Sequence, residues 1–391
     1  MKNEEKYLIT LCNAYLHKQT VPLDENIDYS RLYSVAREHN LIAVAFCVIK
    51  NSPNKAILSD SIYQSFENAF YETIIRYDMQ TKVIDCLDDI LNNNNIPHVF
   101  FKGAEIRECY PIPETRAMSD IDILIEQHNR DKVKNLLILN GFEIKNSNGP
   151  VYDYIKDGVL IEMHTKIVSG KVGSSNAEKC FLDAIDNAVF NGYRGKLDKN
   201  YHLAYLITHI AHHFWFYGAG IKMILDLAAF QSAFIIDYDK VLNKMEEIGL
   251  ADFSKIILTV CKNWFGVGQG FEVGTYKTEE FLTSFGAFGN ANRNKSAVIE
   301  RKELEEGKKT SAVMTRLRLL FPSYSKIKNI PYIKFIEGRP WLLPLAWIYR
   351  IFYNLKYKRK FVMEAAAAIG DDETNTEAKI ELSYFEEIGL L

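Results

Sequence analysis

The stretch "DIDILIE", residues 120–126, constrains the fold more than any other in this chain. Its residues alternate. Ile121, Ile123 and Ile125 fall on one face of a strand, and Asp120, Asp122 and Leu124 fall on the other, because successive strand side chains point to opposite sides. Three isoleucines on one face require a core to cover them. Asp120 and Asp122 then stand side by side on the opposite face. Two ionised carboxylates that close repel unless a cation lies between them. Hard oxygen ligands of this kind suit Mg²⁺ or Mn²⁺, with phosphate oxygens and water completing the shell. A second D-x-D, Asp237 and Asp239 in "FIIDYDKVL", reads instead as a helix cap.

The surrounding pattern places this strand in a small sheet. "HVFFKGAEI" is a short apolar run ending in Lys-Gly, followed by a helical stretch to about Cys109. "NRDKVKNLLILNGFE" is an amphipathic helix closed by Gly141. "VYDYI" and "VLIEMHTKI" form a hairpin with Asp157-Gly158 in its turn. In the second arm Val159, Ile161 and Met163 face one way, and Leu160, Glu162 and His164 face the other. Glu162 is thus a third carboxylate on a polar strand face. Three carboxylates converging from two strands are the ligand set that phosphoryl or nucleotidyl transfer uses.

Residues 1–95 carry apolar residues at helical spacing, as does the chain from about 197 onward. The expected fold class is α+β. A small mixed β-sheet core over 96–196 is flanked by an N-terminal helical region, 1–95, and a C-terminal helical domain, 197–391. A mobile loop is expected near 265–312, where the sequence is Gly-rich and then charged, and the acidic last 20 residues are expected to be partly flexible.

Charge and cysteine usage narrow the function classes. A net charge of −3 supplies no global field for a polyanion, which argues against a nucleic-acid partner. The six cysteines are scattered with no C-x-x-C pair, which points to a reducing, cytoplasmic setting. "MKNEEKYLITLC" lacks the apolar run of a signal peptide, and no stretch reaches about 18 apolar residues, so no membrane span is expected. The aromatic helix 341–360 ends in "NLKYKRK". Contact with a membrane surface is one reading of it, and packing within the helical domain fits its mixed faces better.

"HVFFKGAEIRECY", "RAMSDIDILIEQHNRDKVKNLLILNGFEI" and "VLIEMH" together resemble the nucleotidyltransferase-fold superfamily, and within it an uncharacterised bacterial family with a Lys-Gly turn and a D-x-D strand. The resemblance is best over 96–168 and continues through "LITHIAHHFWFYGAGIKMILDLAAF" and "GAFGN". It implies a metal-dependent transfer of a nucleoside monophosphate from a nucleoside triphosphate to a hydroxyl-bearing acceptor, a small molecule or a protein. Carried over residue by residue, it makes Asp120, Asp122 and Glu162 the catalytic and metal-binding acids. Lys102, Gly103, Ala104 and Arg116 would bind the nucleotide. One departure stands out. Enzymes of the superfamily commonly follow the turn glycine with Gly or Ser, and Ala104 offers only its backbone N–H, which at a helix N-terminus still favours an anion. That departure is the feature favouring the alternative, a catalytically inactive binding or regulatory protein on the same fold.

Four further residues are candidates for the substrate cleft. His164, two residues past Glu162, would orient that acid or touch substrate. His209 and His213 share one helix face at i and i+4, a zinc-compatible spacing that here lacks the intervening Glu of a metalloprotease motif. With Asp226 they are expected to wall the cleft, core packing being the other reading. For Arg116 the other reading is a surface ion pair with Glu114.

Overall fold

The isoleucine face of residues 120–125 finds its cover in a 34-residue helix that the N-terminal sequence supplies. A computed structural model describes residues 1–170, 172–216, 218–284, 286, 321–328, 330–357 and 372–391. The chain divides into two units, one of residues 1–289 with 388–391, the other of 290–387. The first begins with α1 (Asn3–Leu16), α2 (Tyr29–Glu38), α3 (Ile42–Ile49) and the long α4 (Asp60–Asn93). Then come β1 (His98–Phe101), a single helical turn α5 (Gly103–Ile106) and β2 (Asp120–Ile125). These are followed by α6 (Arg130–Leu139), β3 (Glu143–Asn146), β4 (Val151–Lys156) and β5 (Val159–His164).

The strands form one mixed sheet of order β3-β4-β5-β2-β1-β7-β6, with β6 (Ala188–Asn191) and β7 (Arg194–Leu197) closing the far edge. β2 runs antiparallel to β1 and parallel to β5. Val83, Ile84 and Leu87 of α4, Val133 and Leu137 of α6, and Ile121, Ile123, Ile125, Ile161 and Met163 of the sheet make one buried cluster. Burying side chains of this size contributes about 1.5–3 kcal/mol each, which leaves β2 no freedom to slip register. The Asp face therefore looks to the opposite side of the sheet. A short helix α7 (Ala177–Cys180) leads to the edge hairpin, and α8 (Lys199–Phe216), α9 (Ile221–Ala233), α10 (Tyr238–Ile248), α11 (Ala251–Phe265) and α12 (Tyr276–Ser284) follow. Phe101 packs edge-on against Tyr205 of α8, with ring centroids 5.6 Å apart, so α8 covers the second face of the sheet.

The second unit contains helices Tyr324–Ile327, Leu343–Tyr357 and Asp372–Glu387. In it Ile327, Ile333, Ile336 and Ala346 form a small buried cluster. Among the described residues no helix is long and apolar enough to cross a membrane.

Several expectations change here. The loop expected over 265–312 contains α12, where Phe281 and Leu282 are buried. Residue 285 and residues 287–312 of that stretch lie outside the described residues, as does "GAFGN" apart from Gly286. The acidic C-terminus is helical over 372–387, with Leu382 and Phe385 buried three residues apart. The hairpin β6–β7 and the strand β3 were not anticipated. The last residue of "NRDKVKNLLILNGFE", Glu143, already belongs to β3. Asp237 does cap a helix, its carboxylate accepting from the Lys240 amide at 3.2 Å.

Candidate active site

Strand register builds the acid cluster. Asp122 on β2 lies directly beside Glu162 on β5, and Leu124 beside His164. The Asp157-Gly158 turn, with φ of 50° and 75°, sets the next register, which places Asp153 of β4 beside Glu162. Both turn residues are left-handed, as a two-residue hairpin turn of this hand requires. Three adjacent strands thus carry Asp122, Glu162 and Asp153 in a row.

Donor atoms of Asp122, Glu162 and His164 all lie within 4.8 Å of one another. His164 Nε2 is 2.9 Å from Asp122 Oδ1 and 3.4 Å from Glu162 Oε2. Its imidazole donates toward both acids, and these bonds raise its pKa although burial alone would lower it. Asp120 is not part of this cluster. Its carboxylate accepts the Ser119 hydroxyl at 2.7 Å. Burial, then the Asp122 charge, push its pKa up. Asp153 is raised in the same way, by burial and then by Glu162. Asp122 and Glu162 converge with His164, and Asp120 stands two residues before Asp122 on the same strand, within reach of both acids' charge.

Asp122 is 2% exposed and already has a cation. Lys102 Nζ donates to its Oδ1 at 2.6 Å. Burial would raise the Asp122 pKa, but the Lys102 ammonium and the His164 bond hold it down at about 2. Lys102 itself is raised, the Asp122 charge overcoming the cost of burial. The lysine sits in the turn between β1 and α5 with φ 49° and ψ −125°, a conformation strained for any residue with a Cβ. At Gly103, which follows, any side chain would force its neighbours to move. A Cβ there would come within 2.6 Å of Met118 Sδ and 2.9 Å of an Arg116 guanidinium nitrogen. Ala104 is buried in the core cluster beneath the sheet, so its side chain faces away from the acids. The helix that it belongs to is one turn long.

Arg116 is held from the other side of the pocket. Its Nε and Nη2 donate to the two Asp226 oxygens at 2.8 and 2.9 Å, a bidentate pair that replaces the surface pairing with Glu114. Asp226 also accepts Tyr110 Oη at 2.7 Å and Lys222 Nζ at 3.2 Å. Burial would raise its pKa, yet Arg116 and Lys222 hold it at about 2. Lys222 is brought down to about 8, by burial and then by Arg116. One carboxylate thus serves two cations, which leaves the cluster with a surplus positive charge.

Lys102, Gly103, Arg116, Asp120, Asp122, Lys222 and Asp226 line one pocket with His209 and His213 of α8. Its cavity volume is about 100 Å³. Glu162 and His164 do not line it. Burial pushes His213 down to about 3 and lowers His209 as well, so both imidazoles stand neutral beside the acids. Among the described residues these histidines belong to no metal-ligating cluster.

Sequence reasoning missed Lys222, Asp153 and Tyr110. Lys222 stands one helical turn before Asp226, the i,i+4 spacing of an ion pair. Asp153 follows from counting back across the two-residue turn to the position opposite Glu162. Tyr110 left no signal.

The mixed sheet thus carries D-x-D on one strand, a third acid on its parallel neighbour and a Lys-Gly turn after the next strand. The family model described as an uncharacterised nucleotidyltransferase matches residues 25–266, more than half of the chain, and the chain belongs to that family. Among solved structures it is similar to the antibiotic-resistance factor ANT(2'')-Ia, with a TM-score of 0.31 and 14% identity over 43% of this chain and 90% of that one. No curated protein matches it.

Proposed function

We propose that this protein moves a nucleoside monophosphate from a nucleoside triphosphate to a hydroxyl group, with a divalent cation as cofactor. The observation that carries the reading is the convergence of Asp122, Glu162 and His164 next to a pocket with surplus positive charge. Oxygen donors suit Mg²⁺ or Mn²⁺. Four acids on one sheet face, Asp120, Asp122, Glu162 and Asp153, outnumber Lys102 and His164, and Asp120 and Asp153 are both raised, by burial first and then by neighbouring acids. That excess fits a divalent ion held by Asp122 and Glu162, with Asp120 beside them. Such an ion would supply charge neutralisation for the phosphates and lower the pKa of the acceptor hydroxyl.

The protein groups do the rest. Lys222 and Arg116 attract the triphosphate. Lys102 leaves Asp122 for a phosphate oxygen when the nucleotide arrives. The acceptor oxygen attacks the α-phosphorus, and the bond to the α,β-bridging oxygen breaks. Pyrophosphate carries away that electron pair, and the hydroxyl proton passes to Glu162. His164 fixes the orientation of both acids throughout.

One observation favours a second reading, a non-catalytic binding protein on this fold: Lys102 already supplies Asp122 with a cation. A thermal-shift titration with each of the four ribonucleoside triphosphates, with and without Mg²⁺, separates the two. The transferase reading expects a Mg²⁺-dependent rise for wild type that is lost in Asp122→Asn and in Glu162→Gln. The second variant tests the site even if the first fails to fold. A nucleotide shift indifferent to Mg²⁺ and to Glu162→Gln would support the binding protein.

A further inference from the structure

The segment Arg116–Ser119 has a pocket on each side. Beyond the acid pocket it also lines a larger cavity of about 520 Å³, walled by α2, α3 and α4 of the N-terminal helical region. The segment is held in place from within that region. Gln80 of α4, 3% exposed, donates through Nε2 to the Met118 carbonyl at 2.8 Å.

Two exposed guanidiniums stand at the open side of this cavity, Arg37 in the last turn of α2 and Arg76 on α4. Among the described residues neither makes an ion pair or a side-chain hydrogen bond. One carboxylate, Glu72, shares the lining. Arg116, the third arginine there, is already matched by Asp226. The cavity therefore carries a net positive charge on groups whose planar forks match carboxylate or phosphate.

Volume separates the roles of the two spaces. The cavity of about 100 Å³ beside Lys222 and the acids is small for two substrates at once. The neighbouring 520 Å³ lies within the range of roughly 300–1,000 Å³ typical of metabolite sites. The two spaces share the wall Arg116–Ser119, and Ser119 directly precedes Asp120 in the chain.

We propose that this cavity is the acceptor site and that the acceptor is a small hydroxyl compound bearing an anionic group, gripped by Arg37 and Arg76. The inference rests on the nucleotidyl-transfer reading and names its second substrate class. A phosphate monoester and a carboxylate are the two sources of that anion, and the test distinguishes them.

Isothermal titration in two stages provides the test. Wild type is first saturated with Mg²⁺ and α,β-methylene analogues of the four nucleoside triphosphates. Glycerol 3-phosphate, glycerate and glycerol are then titrated into the loaded protein. The expected result is that at least one of the two anions binds at least tenfold more tightly than glycerol. That preference disappears in Arg37→Ala and Arg76→Ala while the nucleotide affinity of both variants stays unchanged. Preference for glycerol 3-phosphate assigns a phosphate, and preference for glycerate a carboxylate. Equal binding of all three compounds, or an anion preference untouched by both substitutions, overturns the proposal. Loss of nucleotide binding in the arginine variants overturns it too, since the cavity would then belong to the triphosphate. Failure of the first stage strikes the nucleotide reading itself, and success there with failure in the second strikes only the acceptor site.

Discussion

Lys102 does two things at one position that are physically separable. Its backbone holds a strained left-handed turn, and its ammonium neutralises a carboxylate that is 3% exposed. Removing one partner of a buried pair typically costs about 3–5 kcal/mol, whereas relieving such a backbone returns about 1–3 kcal/mol. Lys102→Met should therefore lower stability by several kcal/mol, and Lys102→Gly should lose about 1 kcal/mol less. Urea unfolding of the two variants reads the difference directly. Equal losses would mean that the turn stores no strain. In both variants Asp122 lacks its internal cation, so Mg²⁺ alone should raise the melting temperature more than it does in wild type. An unchanged Mg²⁺ response would count against metal binding at Asp122.

At the scale of the element, the β4–β5 hairpin decides which acids meet. The Asp157-Gly158 turn and the alternation of both arms were legible in the sequence, and together they fix Asp153 opposite Glu162. The strand β2, its two faces and the helix after it were legible for the same reason, a strict period of two followed by a period near four. What was not legible depends on partners distant in sequence. β7 pairs with β1 through only His98–Arg194 and Val99–Gly195, and its sequence, "RGKL", has no apolar alternation to announce a strand. Arg116 could be seen as a charged residue near the acids, but its partner Asp226 lies 110 residues away. Tyr110 is 116 residues from the carboxylate that it serves. The hairpin yields two expectations. Gly158→Ala forces a Cβ into a φ of 75° and should cost about 1–2 kcal/mol without altering nucleotide affinity. Asp153→Asn removes a like charge beside Glu162, so the protein without cation should melt slightly higher while its Mg²⁺-dependent nucleotide shift shrinks. A larger nucleotide shift in Asp153→Asn would show that this acid has no part in attracting the cation.

The whole molecule carries its pH response in buried neutral histidines. His39 and His202 are 1% and 2% exposed, in α2–α3 and α8, and burial brings each down to about 4. Lys196 lowers His202 further. His39 has a structural reason to stay neutral, since its Nδ1 accepts the Ile221 amide at 3.3 Å and protonation would abolish that acceptor. Their ordinary value is 6.5. Between pH 6.5 and 4 the unfolded chain therefore binds protons that the folded chain refuses, and stability falls as pH falls. At about 1.4 kcal/mol per pH unit, each histidine removes roughly 3 kcal/mol by the bottom of that window. His164 works in the opposite direction, being raised by Asp122 and Glu162. Asp122 and Asp226, held at about 2, add their own loss only below the ordinary carboxylate range. Domains are stable by about 5–15 kcal/mol, so these two histidines, together with His209, His212 and His213, which burial lowers in the same direction, are enough to set the acid limit of the fold. Urea midpoints measured from pH 7.5 to 4.5 should drop steeply below 6.5. His202→Leu should flatten the curve, because the His202 Nε2 is buried without a hydrogen-bond partner among the described residues and no bond is lost with it. Midpoints constant down to pH 4.5, or a slope unchanged in His202→Leu, would show that these imidazoles take up their protons inside the fold.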